Sequence, residues 1–271
     1  MENDILIFGN GLVAERLQEA FRCELIKEKN SLDFIAKQVK KRHPKIIINC
    51  TDYEGINADS CELNKDGTLS KNVFFPITLA EFCIRNKIKL IHVGNGCLYH
   101  FDYKKNRPLK ESAKPDFFGL FYNRSMIYSD QVLSLLAEKF DILIVRIRLP
   151  IDTQPHPKNL LTKLISFKKA IRQPNSVTYI PDFISALKHL IKIKARGIYQ
   201  VVNTGALYYP KLLNAYKKYN KKFIYKIIDF KDLHMVRTNL ILSNAKLIQS
   251  GFKMRHIDEV LEECVKKYIK Y

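Results

Sequence analysis

The segment DILIFGNGLVAERLQEAF, residues 4–21, constrains the fold more than any other stretch of this chain. An apolar run ends in glycine and helical spacing follows at once, with Leu12, Val13, Leu17, Ala20 and Phe21 able to share one face. The same strand-then-helix unit recurs. CELIK reads as a short second strand, and SLDFIAKQVKKRH as a helix with Ser31 as its cap. After Pro44, KIIINC reads as a third strand. LSKNVFFPITLAEFCIRNK reads as a long helix with an irregularity at Pro76, since proline inside a helix removes a donor and crowds the preceding turn. IKLIHVG is a fourth strand, YNRSMIYSDQVLSLLAEK a helix and DILIVRIRL a fifth strand. These strands are continuous apolar runs and not alternating ones, as expected when both faces of a sheet are covered. The pattern predicts an α/β fold, a Rossmann-type doubly wound parallel sheet with a small C-terminal substrate-binding lobe. Residues 1–150 are expected to form a nucleotide-binding domain. Residues 151–271, richer in turn signals such as QPHPKN and QPNS, are expected to form the lobe and to complete the sheet.

Between the first strand and helix, Gly9, Gly11 and Ala14 fit the pattern GxGxxA. Gly9 permits the tight turn, Gly11 a close approach of a pyrophosphate to the backbone, and Ala14 tight helix packing. The helix N-terminus offers N–H groups and a positive dipole end to an anion. Gly9, Asn10, Gly11, Leu12 and Val13 are therefore the candidate cofactor loop. Past the second strand, Lys27 and Lys29 suit a ribose 2′-phosphate and hence NADP, while Glu24 and Glu28 keep NAD open.

The net charge is +19, from 46 basic and 27 acidic residues. The lysines are spread along the chain and no RNA-binding motif interleaves them, so the charge reads as a basic surface favouring anionic ligands, with nucleic acid ranked last among partners. No run approaches the roughly 20 apolar residues of a membrane span. The N-terminus reads as a strand and not as a secretory signal, so a cytoplasmic protein with reduced thiols is expected. The six cysteines form no CxxC pair, and no metal site is expected. Most of them read as small buried hydrophobes.

GCLY at 96–99, FGLFYN at 118–123, Arg146-Ile-Arg148-Leu-Pro150, NLLTK at 159–163 and PNSVT at 174–178 occur in this order along nearly the whole chain. Together they resemble the extended short-chain dehydrogenase/reductases that act on nucleotide sugars. The nearest pattern is the UDP-4-keto-6-deoxyglucose 3,5-epimerase/4-reductase group, related to dTDP-4-dehydrorhamnose reductase. The resemblance implies a UDP- or dTDP-linked 4-keto-6-deoxyhexose as substrate, NADP or NAD as cofactor, and rhamnose-type deoxysugar synthesis; it leaves room for a homodimer.

By that resemblance Cys97 and Lys163 correspond to the family's epimerase acid/base pair, and both are present. The reductase set is a threonine, a tyrosine and a lysine four residues after the tyrosine. Here these positions hold Asn95, Tyr122 and Met126, so only the tyrosine is retained. The phosphate loop has one residue between its first glycines where the family has two. Arg148, Asn159, Asn175 and Arg237 are the expected substrate contacts, although Arg146 and Arg148 also read as side chains leaving a strand edge into solvent. Epimerisation is therefore expected to be better preserved than reduction. The alternative is a catalytically degenerate nucleotide-binding or regulatory subunit, the role taken by the related regulatory subunit of methionine adenosyltransferase.

Overall fold

The computed structural model describes residues 4–27, 31–52, 58–233 and 236–271. The strand–helix alternation is present: β1 (Ile5–Gly9), α1 (Leu12–Phe21), β2 (Glu24–Ile26), α2 (Leu32–Arg42), β3 (Ile46–Cys50), α3 (Ser60–Leu63), α4 (Lys65–Leu69), α5 (Phe75–Arg85), β4 (Lys89–Asn95), α6 (Phe121–Ala137) and β5 (Ile142–Ile147). With the later strand β9 (Gly197–Gln200) they build a six-stranded sheet of order β2-β1-β3-β4-β5-β9. The pairs β1/β2, β1/β3 and β3/β4 are parallel. Leu6 and Phe8 join Ile35, Leu79 and Leu133 in one core layer. Ile5 and Ile7 point to the opposite side, by the two-residue period of a strand, and are equally buried. Burial on both faces is what the continuous apolar runs anticipated.

Local signals set the helix ends. Ser31 Oγ accepts the Phe34 N–H at 3.3 Å and caps α2. The long helix around Pro76 is divided. A π-helical turn, Ser70–Phe74, precedes α5, and Pro76 lies in the first turn of α5. Its missing N–H falls where the hydrogen-bond ladder changes from the π to the α pattern.

The chain divides into two compact units. The first comprises residues 1–98, 115–146 and 192–199, and the second 99–114, 147–191 and 200–271. The second unit holds two short parallel pairs. One joins β6 (Pro150–Ile151) and β8 (Thr178–Tyr179); the other joins β7 (Lys169–Ile171) and β10 (Lys226–Ile228). Its core brings together side chains of α7 (Leu160–Phe167), α9 (Tyr209–Tyr219) and α11 (Ile257–Tyr268), including Leu161, Leu212 and Leu261, with α8 (Ile180–Lys192) and α10 (Ala245–Gln249) between them in the chain.

Gly9 is held at φ +144°, and a Cβ there would lie 2.7 Å from the backbone carbon and oxygen of Cys50, its partner in the β1/β3 register. Gly9→Ala is expected to cost about 1–3 kcal/mol of stability, from the sterically disfavoured φ and the close contact together. Urea denaturation measures this directly, and a loss of a few tenths would mean that the loop shifts to admit the methyl group.

Candidate active site

The phosphate-loop candidates lie between β1 and α1. Gly9 ends β1, Asn10 is exposed, and Gly11 at φ 82° precedes the first turn of α1. The Gly11 carbonyl accepts the Glu15 N–H at 3.1 Å, so the first helical bond starts there. The N–H groups of Leu12, Val13 and Ala14 belong to the first turn, whose donors have no partner within the helix. Ala14 is fully buried, as close packing at that position demands. A Cβ at Gly9 would collide with Cys50, so the bare glycine lets β1 and β3 run close together there, and it is the first-turn N–H groups of α1 that suit a phosphate. Lys27 is 3.5 Å from Glu15 in an exposed ion pair, and Glu24 pairs with Arg42. Lys29 and Glu28 lie outside the described residues.

At the C-terminal end of β4 the backbone and α6 are tied together by side-chain amides. Asn95 Nδ2 donates to Tyr122 Oη at 2.6 Å, and Asn95 Oδ1 accepts the Cys97 N–H at 2.7 Å. Asn123 Nδ2 donates to the Cys97 carbonyl. Asn95 is thus oriented at both ends of its amide. Tyr122, in the first turn of α6, is 6% exposed. Its oxygen is the acceptor in the Asn95 contact, and a phenol can donate as well as accept. The second N–H of the Asn95 amide lies on the same nitrogen. The arrangement can direct two donors at one oxygen that gains negative charge.

The start of α6 is held from several sides. Glu62 Oε1 accepts the Phe121 N–H at 2.6 Å. Asn72, in the π turn, donates to Ser125 Oγ at 3.0 Å, and Ser125 Oγ donates to the Tyr122 carbonyl at 2.7 Å. Met126, one turn after Tyr122, is 5% exposed. Its thioether carries no charge and donates no hydrogen bond. Arg124 lies with its guanidinium carbon 5.6 Å from the centroid of the Phe121 ring.

The cysteines separate by environment. Cys23, Cys50, Cys61, Cys83 and Cys264 are buried, and Cys97 is the half-buried one. Burial pushes the Cys23 thiol up to about 11 and the Cys83 thiol up to about 12, which leaves both protonated at neutral pH. Cys97 belongs to the first unit. Lys163 belongs to the second, inside α7, where its N–H bonds the Asn159 carbonyl at 3.1 Å.

The expected substrate contacts fall into three groups. Arg148 and Asn175 come together: Arg148 Nε donates to Asn175 Oδ1 at 3.2 Å and Nη2 to the Thr238 carbonyl at 2.7 Å. Asn175 Nδ2 donates to Tyr209 Oη at 3.1 Å and to Asn239 Oδ1, and Asn239 also meets Tyr103 Oη. Asn239 and Tyr103 were not anticipated; only their long-range contacts single them out from the other asparagines and among the 14 tyrosines. Asn159 stands apart from this cluster. It is fully buried and caps α7, accepting the Leu161 N–H at 3.0 Å and donating to the carbonyls of Asp152 and Gln154. Arg237 is half-buried and donates to the Val236 carbonyl. The reading of Arg146 and Arg148 as solvent-facing strand-edge residues is corrected, since each is 2% exposed.

The RmlD substrate binding domain family model matches residues 4–206. The chain belongs to this family. Among curated relatives of this RmlD-family chain, the bifunctional dTDP-4-dehydrorhamnose 3,5-epimerase/dTDP-4-dehydrorhamnose reductase of Arabidopsis thaliana is 28% identical over 221 residues, 79% of this chain and 71% of the relative. A trifunctional UDP-glucose 4,6-dehydratase/UDP-4-keto-6-deoxy-D-glucose 3,5-epimerase/UDP-4-keto-L-rhamnose-reductase of the same plant is 29% identical over 202 residues. That match covers 72% of this chain, which spans only 29% of that relative's length. In fold, the UDP-rhamnose synthase of Acanthamoeba polyphaga mimivirus aligns with a TM-score of 0.88 at 21% identity, covering 97% of this chain and 98% of that one. The dTDP-4-dehydrorhamnose reductase of Bacillus anthracis, solved in complex with NADP, aligns with a TM-score of 0.81 at 19% identity over 100% and 99% of the two chains.

Proposed function

We propose that this RmlD-family protein is an enzyme acting on a UDP- or dTDP-linked 4-keto-6-deoxyhexose in rhamnose-type deoxysugar synthesis, with epimerisation at C3 and C5 better supported than reduction at C4. The observation that carries this reading is the Asn95–Tyr122 contact of 2.6 Å, on a helix whose next inward turn presents buried Met126. The protons at C3 and C5 are acidic because each carbon adjoins the C4 carbonyl. Their removal moves charge onto the carbonyl oxygen, which Tyr122 and Asn95 would receive with hydrogen bonds. Cys97, the half-buried thiol, and Lys163 are the proposed acid/base pair that takes and returns the proton. The cluster of Arg148 and Asn175 is the proposed boundary of the sugar nucleotide site.

The glycine loop fits the pyrophosphate of a dinucleotide, with Gly9, Asn10, Gly11, Leu12 and Val13 as its contacts. NADP, when bound there, would supply the hydride for reduction of C4. Reduction also needs a proton delivered to the C4 oxygen. A lysine beside Tyr122 would favour the phenolate and hold the nicotinamide ribose; Met126 does neither. That loss favours, as a second reading, a nucleotide-binding or regulatory subunit without turnover.

Incubation with UDP-4-keto-6-deoxyglucose in D₂O, with and without NADPH, tests the assignment by NMR. Deuterium is expected to enter at C3 and C5 while NADPH oxidation stays at background. Oxidation at a rate matching exchange would overturn the emphasis on epimerisation. Retention of dinucleotide with neither exchange nor oxidation would establish the second reading instead.

A further inference from the structure

The second unit carries an open groove of about 700 Å³ that the proposed chemistry does not use. Its floor is packed aromatic surface. Tyr216 and Phe223 meet edge to face with centroids 5.1 Å apart, and Phe223 and Tyr225 stack at 6.1 Å. Its rim is different. Phe167, the last residue of α7, is 64% exposed, and Ile224 is 74% exposed. Burial alternates around Ile224, with Phe223 buried and Tyr225 half-buried on either side of the exposed Ile224. Single exposed apolar residues are ordinary. Two of them on one rim, fixed by a packed aromatic floor, are not explained by the fold.

Lysines surround them. Lys168, Lys169, Lys222 and Lys226 line the same groove and are all exposed. No carboxylate lines it among the described residues. Nearby helices show the usual alternative: Lys211 holds Asp258, Lys218 holds Glu262 and Lys267 holds Glu263. Lys169 and Lys226 are also partners in the parallel β7/β10 register, so two like charges project side by side from neighbouring strands. Such a pair is unfavourable in the free protein, and a negative surface relieves it.

We infer that this rim docks on an anionic lipid surface, with Phe167 and Ile224 entering the headgroup layer and Lys168, Lys169, Lys222 and Lys226 facing the negative headgroups. A free phosphate or a nucleic-acid backbone would satisfy the lysines and leave both apolar side chains in water. A lipid interface takes up both classes of group at once. No described helix is long and apolar enough to cross a membrane, so the attachment is peripheral.

Sedimentation of the full chain with phosphatidylcholine vesicles, with and without about a third phosphatidylserine, tests this at physiological salt. Binding to the anionic vesicles is expected to be at least about tenfold tighter than to the neutral ones. It should weaken by about tenfold in Lys169→Glu/Lys226→Glu and again, separately, in Phe167→Ser/Ile224→Ser, with melting temperatures unchanged because all four side chains are exposed. Absence of binding to either vesicle overturns the inference. So does binding indifferent to the Phe167→Ser/Ile224→Ser change, or retention of RNA in place of vesicles, since either identifies a polyanion and not a lipid surface. No step depends on turnover, so the result is independent of the catalytic assignment.

Discussion

Asp130→Asn is expected to cost about 3–5 kcal/mol of folding stability, the penalty for breaking a buried ion pair by removing one partner. Asp130 on α6 and Arg146 on β5 meet in a two-pronged contact. Nε donates to Oδ1 at 2.8 Å and Nη2 to Oδ2 at 2.6 Å, with side-chain exposures of 2% for Arg146 and 7% for Asp130. Asparagine keeps one oxygen and turns an N–H₂ group towards the guanidinium. The charge then stays buried with half of its matched acceptor gone. Urea denaturation reads the loss. The same measurement on Asp130→Leu/Arg146→Met should show a smaller cost than Asp130→Asn alone, because no stranded charge remains. A single-variant cost below about 1 kcal/mol would mean that water reaches the guanidinium and that the pair does not anchor the helix. The anchor matters for the site, because α6 also carries Tyr122 and Met126.

That ion pair also marks where sequence reasoning reached its limit. The sheet was legible because its buried strands are local apolar runs and some helix starts carry a local signal, such as Ser31 or the glycine loop. The irregularity at Pro76 was legible for the same reason: a missing donor acts on its own turn. Arg146 and Arg148 were different. Nothing in RIRLP tells an arginine that leaves a sheet edge from one sealed inside. The answer depends on Asp130, 16 residues upstream on another element, and on Asn175 and Thr238 for Arg148. Asn159 shows the converse. Its register with a family motif pointed to substrate, while its amide is taken up by the backbone of its own loop and helix. Tyr122 and Asn95 could be named from motif order, but the bond between them required the packing of β4 against α6.

A second buried group gives the protein an acid limit. His92, on β4, is 3% exposed, and burial holds its imidazole down to about 4, with the nearby Asp130 carboxylate acting in the opposite direction. Its contact fixes the tautomer. Asn49 Oδ1 is committed to the Thr51 N–H at 3.0 Å and the Thr51 hydroxyl at 2.6 Å. Asn49 Nδ2 must therefore donate to His92 Nδ1 across their 3.1 Å separation, which places the imidazole proton on Nε2. In the unfolded chain the ring titrates near 6.5. Above that pH both states are neutral at this position, and stability does not depend on it. As pH falls from about 6.5 to about 4 the unfolded state binds a proton that the folded state refuses, so stability drops by up to about 1.4 kcal/mol per pH unit, on the order of 3 kcal/mol in all. Urea denaturation across this range should show that fall, and His92→Gln should flatten it while costing stability at pH 7. An NMR titration in which the His92 ring changes near pH 6.5 would sink the prediction. Asp130→Asn should move the His92 midpoint lower still, since it removes the one named charge that favours the imidazolium. That variant therefore tests both buried groups in one chain: less stable at pH 7, and with a histidine that resists protonation further into acid.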